Sequence, residues 1–373
     1  MTSDRIAADP RTVTTAYEQW LGEHIPLVGA DLERKHQEMN GSVMRFLRGT
    51  YYLWLQRVGE LAPQLLDRPD VPLVGDIHVE NFGTWTDQRG VLRWGVNDFD
   101  ELGWGPYTLD LVRLATSAAL TVHLGMSASA VCRTVFDVWG STKPRRSVSL
   151  SAPGSGHLRE LVPAPPTDKA FYRALLAGHP LPDGVVPADV RRAAQRSVPG
   201  QWRETWFARE AGTGSLGHVR AVAVGKGAAG SRVQAREVKQ LGPPTAGFVR
   251  DRLGGNLPRL LPVGDDVLCG RVLTALRGPA IMARVNGWRL RGLNPQDQRI
   301  EMGGLRRRDA ERVLRSMTRA LVDVHGVSPG HLDRARADAS SADKRWLHDA
   351  VEVMVDDTQA CYRAWVTTGK GRG

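Results

Sequence analysis

Cysteine is scarce. The 373-residue chain has three, Cys132, Cys269 and Cys361, far apart and without a CxxC or other zinc-ligand spacing. An odd, scattered set excludes a disulfide framework and reads as buried free thiols in a reducing cytoplasm. Long hydrophobic runs are missing too: no stretch of about 18 apolar residues occurs, so no membrane span is expected. The polar opening MTSDRIAADPRTVTT has no apolar signal core. There is no internal repeat, low-complexity block or basic tail. The net charge is +10, but the arginines are spread, with brief clusters such as Arg306 to Arg308, and no nucleic-acid motif accompanies them. A solvated basic surface accounts for most of that charge, and an anionic small-molecule substrate fits the remainder. Neither nucleic acid nor membrane is expected as a partner, and the oligomeric state is unknown. What is there is a globular composition, 42% hydrophobic and 24% charged, which excludes global disorder and suffices for one large domain or two lobes.

Helical periodicity is clear in four places. Val43, Phe46, Leu47, Tyr51, Trp54, Leu55 and Val58 recur at three- and four-residue steps. So do Leu111 to Val122, Ala310 to Val324 and Trp346 to Trp365. Core packing explains these stripes. Strands are predicted at Val71–Val74, Thr84–Thr86, Val91–Val96, His218–Gly225 and Val233–Glu237, with a weaker group between Val267 and Val285. Asp87 to Gly90 is the turn of a hairpin. Residues 1–140 form a helical part carrying the polar clusters described next, and 141–200 a breaker-rich connection with one or two short helices. Residues 201–290 are strand-rich and 291–373 helical again. The expected fold class is α+β, with two lobes and the first and last segments sharing one of them.

The stretch VPLVGDIHVENFGTW places Asp76, His78 and Asn81 just past a buried strand, and NDFDE ends a later apolar run with Asp98, Asp100 and Glu101. Magnesium-dependent phosphoryl transfer needs a carboxylate facing the acceptor hydroxyl and hard oxygen ligands, usually an Asn and an Asp, for the metal. In kinase-like enzymes the Asp precedes the Asn by five residues, and a hairpin and an Asp-Phe-Gly-type turn follow. Asp76, Asn81, the Asp87–Gly90 hairpin and Asp98-Phe99-Asp100 fit that order. On the bland reading, Asp76 and Asp98 cap turns or helices, His78 fixes a loop and Asp100 bonds backbone. For Asp110, just before a helical stripe, capping is preferred.

Residues 211–217, AGTGSLG, precede a strand. Gly212, Gly214 and Gly217 permit close backbone approach to phosphates, and Ser215 supplies a hydroxyl. A dinucleotide fingerprint would open a helix. A following strand suits a glycine-rich hairpin over ATP, or an ordinary tight hairpin. On the next strand, VQAREVKQ, Arg236 takes the position of the phosphate-holding lysine, with Lys239 three residues on. The glycine turn follows the acid clusters, the reverse of the usual kinase order. Circular permutation reconciles the two.

The segments KHQEMNGSVMRFLRGTYY, GDIHVENFG, NDFDELGWGPYTLDLVRLATSAAL, AGTGSLG, VQAREVKQ and LVDVHGVSP resemble a bacterial family known as domain of unknown function 2252. The resemblance implies a protein-kinase-like, aminoglycoside-phosphotransferase-like fold with permuted lobes that uses ATP and Mg2+. By position it makes Asp76 the catalytic acid and Asn81 and Asp98 the metal ligands. Gly212, Thr213, Gly214, Ser215 and Gly217 become the nucleotide loop, joined by Arg236, which stands where the family has lysine. His78, Asp100 and Arg48, the last in the FLRG element, are supporting candidates. The function expected is ATP-dependent phosphotransfer to a small-molecule acceptor. Adenylyl transfer or ATP-dependent carboxylate activation on the same fold, and a nucleotide-binding pseudokinase, are the alternatives.

Overall fold

The computed structural model describes residues 9–121, 125–209, 212–227, 232–253 and 266–369. Four helices come first: α1 (Pro10–Gly22), α2 (Gly29–Met39), α3 (Val43–Gly49) and α4 (Tyr51–Leu61). Asp9 caps α1 by accepting from the Thr12 amide at 3.2 Å, and Pro10 takes the first helical position, where its missing N–H costs nothing. The apolar stripe from Val43 to Val58 is two helices rather than one. Thr50 breaks it with φ −131° and ψ 43°, which turns the chain while both halves stay buried.

Strands β1 (Asp70–Leu73) and β4 (Gly103–Pro106) pair antiparallel. Between them lies the hairpin β2 (Phe82–Thr86) and β3 (Leu92–Val96), extended by β5 (Val148–Ser149). The hairpin turns where expected: Asp87 Oδ1 accepts from the Arg89 and Val91 amides at 2.9 and 3.0 Å, and Gly90 takes φ +75°. Helices α5 (Tyr107–Leu120) and α6 (Ala128–Ser141) follow, then α7 (Gly156–Leu161), α8 (Asp168–Leu176) and α9 (Ala188–Arg196). The connection 141–200 thus carries three short helices, one more than expected.

Strands β6 (Arg203–Ala208), β7 (Arg220–Lys226), β8 (Val233–Gln240), β9 (Met282–Val285) and β10 (Trp288–Leu293) form an antiparallel sheet in the order β6-β7-β8-β10-β9. Helices α10 (Thr245–Leu253) and α11 (Asp266–Leu276) lie between β8 and β9 in sequence. The strands predicted between Val267 and Val285 therefore reduce to β9. Leu268, Val272 and Leu276 bury one side of α11 at four-residue steps, a helical period that a short apolar run conceals. The chain closes with α12 (Arg307–His325), α13 (Pro329–Ser341) and α14 (Trp346–Gly369).

The architecture is mixed α+β. One large core joins α1, α4, α5, α6, α12 and α14 to the two small sheets. Tyr107 stacks on Trp139 there with ring centroids 5.0 Å apart. A fully buried ring of this kind contributes roughly 1.5–3 kcal/mol. The five-stranded sheet has separate apolar clusters on its two faces. Trp206, Ala221, Ala223 and Val238 pack against α9 on one face, and Phe207, Val222, Val224 and Ala235 pack against α8 on the other. Period-two alternation sorts them. All three cysteines are buried, and none is in a disulfide. Among the described residues no helix is long and apolar enough to cross a membrane.

Candidate active site

The polar loop after β1 owes its shape to Asp110. This residue is fully buried in the first turn of α5, and its carboxylate accepts from the amides of Val74 (2.8 Å) and Gly75 (3.0 Å). The capping role expected for Asp110 is not what it does: it ties the strand end to the helix. His325, at the end of α12, accepts from Trp139 Nε1 through Nδ1 at 3.0 Å. Its proton therefore sits on Nε2, which donates to Asp110 at 3.1 Å. Gly75 has φ +89°, and a Cβ there would lie 2.6 Å from the Glu101 carbonyl oxygen. Only glycine lets the two acid segments come this close.

The chain then delivers Asp76, His78 and Asn81 into a cavity of about 380 Å³, which Asp98, Asp100 and Glu101 also line. Asp76 is gripped by Arg113, whose Nε (3.0 Å) and Nη2 both donate to Oδ1. Arg113 is itself wholly buried, donates to the Leu47 carbonyl at 2.9 Å and stacks on Tyr51 and Trp54. Burial pushes the Asp76 carboxyl up, Arg113 pulls it back, and Asp98 adds to the rise; the net direction is upward. Asn81 Nδ2 donates to the Asp76 carbonyl at 2.6 Å, which turns Oδ1 away from that bond. His78 is buried and accepts from the Glu80 amide through Nδ1 at 3.2 Å. Burial, with Arg48 and Arg113 nearby, holds its pKa well below the usual histidine range, so it is a neutral loop-fixing group.

The glycine turn closes the cavity from the other side. It joins the paired strands β6 and β7 and is followed by a strand, not a helix. A Cβ on Gly214 would lie 2.8 Å from the Arg48 carbonyl oxygen and 3.9 Å from Asp76 Oδ2. Gly212 and Gly217 have φ +74° and +100°. Gly212, Gly214 and Ser215 line the cavity. Thr213 turns aside to donate to Glu38, and Gly217 packs against Leu32. The FLRG element acquires a role: Arg48 pairs with Glu80 while its backbone supports the turn, and Gly49 leaves room for Met39.

One face of the five-stranded sheet forms the roof. Strand register brings Arg220, Glu237, Lys239, Arg289 and Arg291 side by side. Glu237 contacts Arg209 (2.6 Å), Arg220 (3.3 Å) and Arg289 (3.7 Å). Burial alone would raise its carboxyl, but Arg220, Arg209 and Arg289 hold it at about 2. Asp100 accepts from Lys239 (2.7 Å) and Arg289 (2.6 Å). Burial again works against the charge, and the two cations together keep that carboxyl far below its ordinary value. Asp98 accepts from Arg289 at 3.1 Å and is 38% exposed. Glu101 accepts from the amide (3.1 Å) and hydroxyl (2.6 Å) of Thr245, capping α10. Its burial nonetheless raises its pKa to about 7.

Arg236 is placed elsewhere. It lies on the opposite face of β8, where it donates to Ser197 Oγ (2.7 Å) and O (3.0 Å) beside Trp202. Strand alternation is the reason. Residues 235, 237 and 239 share the cavity side, so residue 236 cannot. Lys239 is the lysine of this strand that reaches the acids. Arg289 and Lys35 also line the cavity, and Arg113 stands behind Asp76; all three escaped the sequence reading. An arginine inside the apolar run LDLVRLAT was the available signal for Arg113.

Asn81 Oδ1 and the Asp98 carboxylate are hard oxygen donors of the kind magnesium takes. Asp98 Oδ2 is in no hydrogen bond among the described residues. One carboxylate and one amide oxygen would suit an Mg2+ that completes its shell with water and phosphate oxygens. Three acid or histidine ligand atoms come within 4.8 Å of one another, among the described residues, at His348, Asp349 and Glu352 on α14, outside the cavity lining. Residues 28–141 match the model of a family described as an uncharacterised protein conserved in bacteria (DUF2252). That segment holds Arg48, Asp76, His78, Asn81, Asp98, Asp100 and Asp110; the glycine turn and the roof strands lie beyond it. No curated protein and no solved structure matches the chain.

Proposed function

We propose that the chain is an ATP- and Mg2+-dependent phosphotransferase acting on a small-molecule acceptor, with a kinase-like two-lobed fold in permuted order. The observation that carries this reading is the meeting of Asp76, Asn81 and Asp98 with a glycine turn in one cavity, from segments far apart in sequence. In kinase-type sites the glycine loop covers the nucleotide phosphates and the third strand supplies a lysine. The glycine turn between β6 and β7, with Lys239 on β8, is consistent with that plan. Phe171 and Leu293 give the cavity an apolar end suited to a purine.

Asp76, oriented by Arg113, takes the proton of the acceptor hydroxyl. The hydroxyl oxygen then bonds to the γ-phosphorus and ADP leaves with the electrons of the broken bond. A base with an upward-shifted pKa suits this role. Asn81 and Asp98 would hold Mg2+, which when bound neutralises charge on the phosphate oxygens. Arg220, Lys239 and Arg289 face the same space and balance anionic charge.

Incubation with MgATP and metabolite pools, followed by mass spectrometry, tests the reading. A product heavier by about 80 marks phosphate transfer and by about 329 adenylyl transfer, from general nucleotide chemistry. Asp98→Ala should lose the rise in melting temperature that MgATP gives the parent protein, since a ligand confined to the native state stabilises it by mass action. No MgATP shift in the parent protein would remove the proposal. A pseudokinase is the second reading, favoured by the pairing of Asp98 and Asp100 with Arg289 and Lys239. It requires metal-independent ATP binding with no product.

A further inference from the structure

Lys35 is a cavity cation that the chemistry above leaves unused. It sits on α2, 3% exposed, and lines the cavity with Asp76, His218 and Gly242. Its ammonium lies 5.6 Å from the ring centroids of both Tyr17 and Tyr52, which stack 4.0 Å apart. Its stem passes Gly49, where a Cβ would stand 3.8 Å from Lys35 Cε. Arg113 is paired with Asp76, Lys239 with Asp100, and Arg289 with Asp98 and Asp100. Lys35 has no such partner: among the described residues none forms an ion pair with it or accepts a hydrogen bond from it.

A buried ammonium without a partner is costly. The two rings, as cation–π partners, recover only a part of that cost. A methionine would fill the same volume without that cost, so packing does not explain a lysine here. Neighbouring His218 is no counter-ion, and it adds no second cation either. Its Nδ1 donates to the Gln240 carbonyl at 3.0 Å, and burial, with Lys239 close by, holds its pKa at about 3. The ring is neutral, with Nε2 left as an acceptor. Burial also lowers the Lys35 pKa; the Glu18 and Asp76 carboxylates, too far to pair with it, pull it only part of the way back, and an incoming anion would complete that recovery.

We propose that Lys35 is the cation of an oxyanion subsite beside the acid loop, walled by Tyr17 and Tyr52, which receives a carboxylate or phosphate oxygen of a bound molecule. The identity of that molecule, acceptor or nucleotide, rests on the phosphotransferase reading; the subsite itself does not.

Inorganic phosphate and acetate are the probes, against sodium chloride at equal ionic strength, with melting temperature as the readout. At least one oxyanion should stabilise the parent protein beyond chloride. Lys35→Met should weaken that binding about ten- to a hundred-fold, the loss of one charge-assisted contact, and Lys35→Arg should retain part of it. Equal oxyanion affinity in the parent and Lys35→Met overturns the proposal. MgATP affinity of the same variants identifies the source. A parallel loss assigns the oxyanion to a nucleotide phosphate, and an unchanged value assigns it to the acceptor. Should Lys35→Met not fold, lysine labelled with 13C in the parent protein decides. Movement of the Lys35 Cε resonance toward the charged form on oxyanion addition supports the subsite, and no response overturns it. These probes need neither ATP nor turnover, so the subsite and the phosphotransferase reading can fail separately.

Discussion

Asp110→Ala is the sharpest test of how the acid loop is held. The carboxylate is wholly buried and satisfies three donors: the Val74 amide, the Gly75 amide and His325 Nε2, at 2.8, 3.0 and 3.1 Å. Truncation removes all three acceptor contacts and leaves the donors away from water. Each unmet buried donor costs about 1–3 kcal/mol. Neighbouring losses are not additive, so a total of at least about 3 kcal/mol is expected. Asp110→Asn keeps one acceptor oxygen but points an NH2 group at donors, and should fall between parent and Ala. Urea unfolding followed by circular dichroism measures this, provided the slope with denaturant is unchanged, so that a shift in midpoint reports stability. His325→Ala should recover part of its own cost in the Asp110→Ala background, because the two changes share one bond. A loss below about 1 kcal/mol for Asp110→Ala would refute the claim that this carboxylate ties β1, α5 and α12 together.

Glu101 sets a pH dependence. Its pKa is about 7 in the folded protein against an ordinary 4.5, so the native state keeps a proton that the unfolded chain has released. Its contribution is therefore most favourable below about pH 4.5, is lost as pH rises toward 7, and is constant above. At ~1.4 kcal/mol per pH unit the loss is at most about 3.5 kcal/mol, and Glu101→Gln should remove that slope from a series of urea midpoints. Gly214→Ala sets a Cβ against the Arg48 carbonyl; displacing the turn should cost roughly 1–3 kcal/mol and weaken MgATP binding in the same melting assay. Arg236→Met should cost about 1–3 kcal/mol through its Ser197 bonds while leaving MgATP affinity unchanged; weaker MgATP binding would return Arg236 to the site.

The sequence was most legible where chemistry and chain geometry coincide. The Asp87–Gly90 turn could be read because Asp and Gly there have specific backbone duties. The glycine turn was recognisable from its place before a strand, and the acid clusters from their positions at strand ends. Arg236 was misread because propensity marks a strand but not which face of it is wet. Val233-x-Ala235-x-Glu237-x-Lys239 and Gln234-x-Arg236-x-Val238 are equally plausible inward sets until the neighbouring strands fix the register. Arg289, Lys239 and Asp100 could not be grouped at all, since that contact is made by tertiary packing between distant segments. Lys35 stood in plain sight in KHQEMNG, but nothing local says that a lysine on an amphipathic helix will point inward.

The ion pairs across the cavity also set an order of events during synthesis. Asp100 is translated 189 residues before Arg289 and 139 before Lys239. At about 5–20 residues per second, the acid loop waits roughly 10–40 s for the cations that neutralise it. During that interval Asp98 and Asp100 are without the cations that pair with them in the finished site. Long sequence separation of this kind slows folding. The cavity therefore cannot be complete before β10 emerges from the ribosome, and its acid loop waits longer still, for His325 on α12.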